Sequence, residues 1–214
     1  VSHVGSDGRL RGGAMKSASG GRSSLATGGS TFASTTSAQF MRGTNSQKYV
    51  KRNAEARGIK YYSYTKNSSG SRTYWVQDFA SAASKKVRCA KAAYDVGARH
   101  GAHKIDVKFA AHLFKKHGDD SLLAPWRAFI DSDVNYTVKT VKGNKSIDVQ
   151  GEKAFQKLMH TGEIPTDSTQ RTHLVAKMKQ YFNSADQASY DPALKPLFDL
   201  MRKEVDNALL TVEP

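Results

Sequence analysis

Cys89, His100, His103, His112 and His117 are the side chains of this sequence best suited to hold a metal ion. His100 and His103 stand three apart, which is one face of a helix, and Cys89 precedes them. Structural zinc sites usually draw close ligand pairs from both ends of a loop, and only one close pair exists here. Solvated or phosphate-facing histidines are expected instead, with no metal and no cofactor. Hydrolytic chemistry would need a convergent nucleophile, base and orienter. The sequence contains no Gly-x-Ser-x-Gly, no phosphate-cradling glycine-rich loop and no paired carboxylates beside a histidine. No catalytic residue is assigned, and the expectation is a protein that is not an enzyme.

What the sequence supplies in quantity is positive charge, and it is unevenly placed. The 214 residues carry 33 Lys and Arg against 19 Asp and Glu, a net charge of +14. Residues 46–118 hold 16 of the basic residues against Glu55, Asp78, Asp95 and Asp106. Residues 119–214 hold 12 basic against 14 acidic residues. A charge kept for solubility would be spread along the chain. Charge concentrated in one half, among aromatic residues, points to a polyanion, because each cation near a phosphate releases condensed counterions. A nucleic acid is the expected partner. No stretch of 18 apolar residues is present, so no membrane span is expected. The single Cys89 excludes an internal disulfide framework.

Three segments follow from composition. Residues 1–45 are mostly Gly, Ser, Thr, Ala and Arg, with no hydrophobic period to offset their ordering entropy. They read as a basic arm that orders on a partner, with Arg9, Arg11, Arg22 and Arg42 as its contacts, or as a mitochondrial transit-like segment. A chain that begins at Val1 fits processing or truncation. Residues 46–118 form the expected nucleic-acid-binding domain. Within it, residues 58–67, 72–80 and 85–92 read as strands separated by turn clusters. Along the second strand Trp75, Gln77 and Phe79 share one side, and Arg72, Tyr74, Val76 and Asp78 share the other. A helix is predicted from Asp95 to a stop at Gly118, because Ala98, Ala102, Ile105, Phe109 and Leu113 recur at helical spacing. Gly97 and Gly101 would let that helix lie close to the sheet.

Residues 119–214 form a mainly helical docking region. A short helix is expected at 122–130, a hairpin around Gly143 and Asn144, and amphipathic helices at 151–160, 168–182 and 193–210. Thr166 or Asp167 caps the second of these, and Asp191-Pro192 starts the third. Trp126, Phe129, Phe155, Leu158, Leu174, Met178, Phe182, Leu197, Phe198 and Met201 are expected in a core or interface. The helices carry more apolar positions than one small core needs, so neighbouring proteins of an assembly are expected to dock there. The fold class is therefore α+β: a three-stranded antiparallel sheet packed on one helix, then a mainly helical region, after an extended basic arm.

The order of strands and helix resembles the AP-two domain, the apetala and ethylene-response-factor DNA-binding fold with divergent relatives in apicomplexan parasites. Gly58-Ile59 followed by Tyr61 looks like its opening strand, and Arg72-x-x-Trp75 like the start of its second. Tyr94-Asp95-Val96-Gly97-Ala98-Arg99 looks like the entry to its helix. The resemblance covers residues 58–117. It implies that the helix covers one sheet face while the other lies on nucleic acid. By alternation that outer face is expected to hold Lys60, Tyr62, Tyr64, Lys66, Arg72, Tyr74, Lys86 and Arg88. Lys and Arg would neutralise phosphates, Tyr would bond phosphate or stack on a base, and Arg could read guanine. The expected function is a structural RNA-binding component of a large ribonucleoprotein, a mitochondrial ribosome, with structured RNA preferred over DNA. The alternative is a nuclear, sequence-specific DNA-binding regulator of the AP-two type.

Overall fold

A computed structural model describes residues 45–185 and 191–213. The expected arm, with Arg9, Arg11, Arg22 and Arg42, lies outside the described residues.

The first described element was not expected from the sequence. Helix α1 (Asn45–Ala56) buries Val50 and Ala54 and leaves its lysines exposed. Gly58, at φ +60°, turns the chain into β1 (Lys60–Lys66). β2 (Arg72–Asp78) and β3 (Lys86–Arg88) complete an antiparallel meander in the order β1-β2-β3, as predicted. The turn clusters do the local work. Asn67 Oδ1 accepts from the Ser71 amide at 2.8 Å, and Gly70 takes φ +85°. The third strand is shorter than expected, because Lys91 already begins a helix.

The long helix predicted from Asp95 to Gly118 is three elements. Helix α2 (Lys91–Gly97) is followed by strand β4 (Arg99–His103) and helix α3 (Val107–His117). Residues four apart share a face in a strand as well as in a helix, so the spacing of Ala98 and Ala102 fits both. Both alanines are buried. Asp95 is not the cap of the long helix; it pairs with Lys91 inside α2. The cap is Asp106, whose carboxylate accepts from the Phe109 amide at 2.9 Å. The predicted stop holds: Gly118 takes φ +79° and its amide reaches Phe114 O.

The hairpin expected around Gly143 is also replaced. Strand β5 (Tyr136–Thr140) pairs antiparallel with β4, Arg99 opposite Thr140 and His103 opposite Tyr136. After it the Thr140 side chain accepts from the Gly143 amide at 3.0 Å and starts a helical turn, so the chain does not fold back as a strand. Asn135 fastens this second sheet to the helices. It is buried, accepts from the Ile105 amide at 2.9 Å, and donates to Ile105 O at 3.1 Å and Ile130 O at 2.9 Å.

The remaining helices match expectation: α4 (Leu123–Ile130), α5 (Val149–Thr161), α6 (Ser168–Ser184) and α7 (Lys195–Val212). Asp167 caps α6 through the Gln170 amide at 2.8 Å. Asp191 caps the short 3-10 turn Pro192–Leu194 that leads into α7. One core joins Ile105, Phe109 and Leu113 with Trp126, Phe129, Phe155, Leu174, Tyr181, Phe198 and Met201. Each such side chain, fully buried, stabilises by about 1.5–3 kcal/mol. The core therefore crosses the boundary expected at residue 118, and α3 belongs to the helical half. It also takes up the apolar positions read as surplus for docking; Leu210, 72% exposed, is the largest exception.

Candidate nucleic-acid interface

Strand register divides the expected site residues between two faces. Residues directly opposite one another share a face. Lys60 faces Asp78, Tyr62 faces Val76, Tyr64 faces Tyr74, and Lys66 faces Arg72. Tyr61 faces Gln77, Ser63 faces Trp75, Trp75 faces Arg88, and Gln77 faces Lys86. The eight sheet residues expected on one outer face thus separate as six and two. Lys60, Tyr62, Tyr64, Lys66, Arg72 and Tyr74 share one face; Lys86 and Arg88 share the other with Trp75.

Helix α2 covers the face that was expected to be open. The Tyr94 ring lies 4.8 Å from Tyr74 and 6.0 Å from Tyr64. Gly97 rests on Tyr62 so closely that a Cβ there would stand 2.2 Å from the ring. Gly97 thus admits close contact with the sheet, though through the short helix. The Arg72 guanidinium stacks over the Tyr64 ring at 4.6 Å. Lys60 faces Asp78 at 3.9 Å. Burial, then the neighbouring Tyr64, raises the Tyr94 phenol above its ordinary value. Tyr62 and Tyr74 are thus half-buried under α2, whereas Tyr64 touches Tyr94 and stays 42% exposed. The lysines at the strand ends misled the reading, because they lie beyond the reach of a seven-residue helix.

Among the described residues the opposite face is met by a helix at Tyr61, where α1 packs against β1. It carries Tyr61, Ser63, Thr65, Thr73, Trp75, Gln77, Lys86 and Arg88, without an acid. Trp75 Nε1 donates to Thr65 Oγ1 at 3.1 Å, and the Lys86 ammonium sits over its ring at 5.1 Å. Gln77 is fixed by donating to Ser84 O at 2.8 Å. Arg88 is exposed and pairs with no described acid. At the β1 edge Tyr61 donates to Gln47 of α1 at 3.4 Å, and burial raises its phenol pKa. The result is a flat surface of hydroxyl, amide and aromatic groups with two cations on the far strand. Sequence reading missed Trp75 as part of this surface. Its pairing with Arg88 is visible only once the β2–β3 register is known.

Two of the candidate histidines, His100 and His103, are packed among neighbours, whereas His117 is exposed at the end of α3. His100 bonds Asn144 at 3.2 Å, and His103 packs on Tyr136 at 4.5 Å between ring centres. Burial lowers the pKa of both. Among the described residues no three His, Cys, Asp or Glu side chains are grouped to hold a metal ion. A second titratable cluster escaped sequence reading altogether. Tyr181 donates to Asp106, Lys177 lies 3.4 Å from Asp148, and Lys139 reaches Asp148 at 2.6 Å. Burial and the nearby Asp106 push the Glu152 carboxyl up to about 8, while Gln156 bonds it at 2.8 Å. Lys177 and Tyr181 are 1% and 0% exposed, so the cluster is largely buried, and it ties β5, the start of α3, α5 and α6 together. No family model, curated protein or solved structure matches the chain. Among the described residues no helix is long and apolar enough to cross a membrane.

Proposed function

We propose that this protein binds nucleic acid on the open face of its three-stranded sheet, as a structural RNA-binding component of a ribonucleoprotein. The observation that carries the reading is the acid-free face on which Trp75, Lys86 and Arg88 meet. Two cations beside rigid polar and aromatic groups suit phosphate and sugar contacts, which position a backbone without reading its sequence. The basic excess of residues 46–118 and the near-neutral helical half support a protein bound on one side to a polyanion. The mitochondrial ribosome expected from the composition of residues 1–45 remains the proposed assembly, and co-sedimentation with mitochondrial ribosomal subunits tests it.

The reading is tested by replacing Lys86 and Arg88 together with Ala and measuring binding to a structured RNA and to duplex DNA. Affinity should fall about equally for all sequences, and the salt slope should drop by about two units, one per cation. Unchanged affinity would remove the sheet as the interface. Arg88 supports one competing reading, that of a DNA-binding regulator: an unpaired guanidinium can bond guanine in two places. In that case Arg88→Ala should cost about 1–3 kcal/mol at a single base position.

A further inference from the structure

We infer that helix α1 is the second half of the interface, and that sheet and helix together grip an A-form RNA double helix across its shallow minor groove. The inference rests on the sheet reading above and extends it.

The open face does not end at β1. Tyr61 passes from it to Gln47 of α1. Lys51 stands four residues from Gln47 on the same side of the helix, and Lys48 lies beside them. Both lysines are exposed, and no described acid pairs with either. Arg52, turned further round the helix, is instead tied to Asp133. Glu55, four residues beyond Lys51 and so on the same side, is the helix's one acid, against Lys48, Lys51 and Arg52.

Charge thus borders a polar strip on two sides, with the Lys86 ammonium reaching inward over Trp75. Lys86 and Arg88 stand at the β3 edge, and Lys48 and Lys51 stand beyond the β1 edge. Between them lie the hydroxyls of Ser63, Thr65 and Thr73 and the Trp75 ring. Three strands spaced about 4.8 Å apart set β3 about 10 Å from β1, and the helix lies farther out. Two phosphate tracks with a groove between them match this layout. In A-form RNA the minor groove is wide and shallow and lined with 2′-hydroxyls, the natural partners of Ser and Thr side chains. A single strand would need an open stacking platform. Trp75 does not offer one, because its Nε1 is bonded to Thr65 and Lys86 sits over its ring.

The test uses the full chain and three probes of one sequence: an RNA duplex, the single RNA strand and a DNA duplex. Binding is read by fluorescence anisotropy over a range of salt. The RNA duplex should bind tightest. Lys48→Ala with Lys51→Ala should lower the salt slope by about two units, as should Lys86→Ala with Arg88→Ala, and the fourfold variant by about four. All four side chains are exposed, so circular dichroism should be unchanged. Loss in the β3 pair with none in the α1 pair overturns the inference and leaves the sheet reading standing. Equal or tighter binding of the single strand or of DNA overturns the RNA-duplex grip alone. Failure of every probe to bind overturns both readings.

Discussion

The basic sheet and the helical half are built on opposite principles. From Glu55 to Gly97 no residue is buried, whereas the helical half has one continuous aromatic and aliphatic core. The sheet is held by its ladder, by tyrosines under α2 and by the Gly97 contact. Most of the net positive charge of the described residues lies in the part with the least core. Self-repulsion there opposes compactness, and a polyanion would relieve it. The helices therefore serve as the stable frame, and under the proposed function the sheet is the surface whose order a bound nucleic acid would change most.

The largest effect that would sharpen this contrast comes from Trp126, fully buried and bonded to Ala110 O at 2.9 Å. Trp126→Ala should cost about 3–5 kcal/mol in urea unfolding. A loss below about 1 kcal/mol would break the idea of a single supporting core. Next comes Gly151, where a Cβ would meet His173 O at 2.5 Å as α5 crosses α6. A backbone carbonyl gives way poorly, so Gly151→Ala should cost about 1–3 kcal/mol by the same measurement. A smaller effect comes from Glu152. The native carboxyl keeps its proton up to about 8, while the unfolded group titrates near 4.5. Between those values the native state binds more protons, so this group makes stability fall as pH rises and levels off above about 8. Glu152→Gln should flatten that slope in urea midpoints taken across the window; an unchanged slope would assign it to other groups. The smallest change is expected for Trp75→Ala, which removes a half-buried ring from a coreless sheet. Its melting should shift by no more than about 1 kcal/mol in equivalent stability while RNA binding weakens. A core-sized loss would mean that the sheet face is a packing surface.

The sequence made the strands of the meander and the late helices legible, because alternation and amphipathic periods are local. It also made the Gly118 stop legible and narrowed the α6 cap to Thr166 or Asp167, since each cap needs only its neighbours. What failed was parity between distant segments. Ala98 and Ala102 satisfy strand and helix alike, and only β5, more than thirty residues later, decides in favour of a strand. The candidate face failed for the same reason. Both faces of β1 and β2 carry aromatic residues, so composition does not say which one a helix will cover. The β3 register, which sets Arg88 beside Trp75, is a tertiary fact.

Asn135 carries a consequence for chemical ageing. Its amide group donates to two carbonyl oxygens, those of Ile105 and Ile130, while its oxygen accepts from the Ile105 amide. Deamidation would leave the shape almost unaltered and exchange both donors for a negatively charged oxygen aimed at two carbonyls. Burial of an unpaired charge against like partial charges is among the costlier defects a core can hold. The buried, three-bonded setting of this residue should also slow the backbone attack by which asparagine ages. Loss of the β4–β5 clamp should therefore track the rare unfolded excursions of the chain more closely than its time in solution.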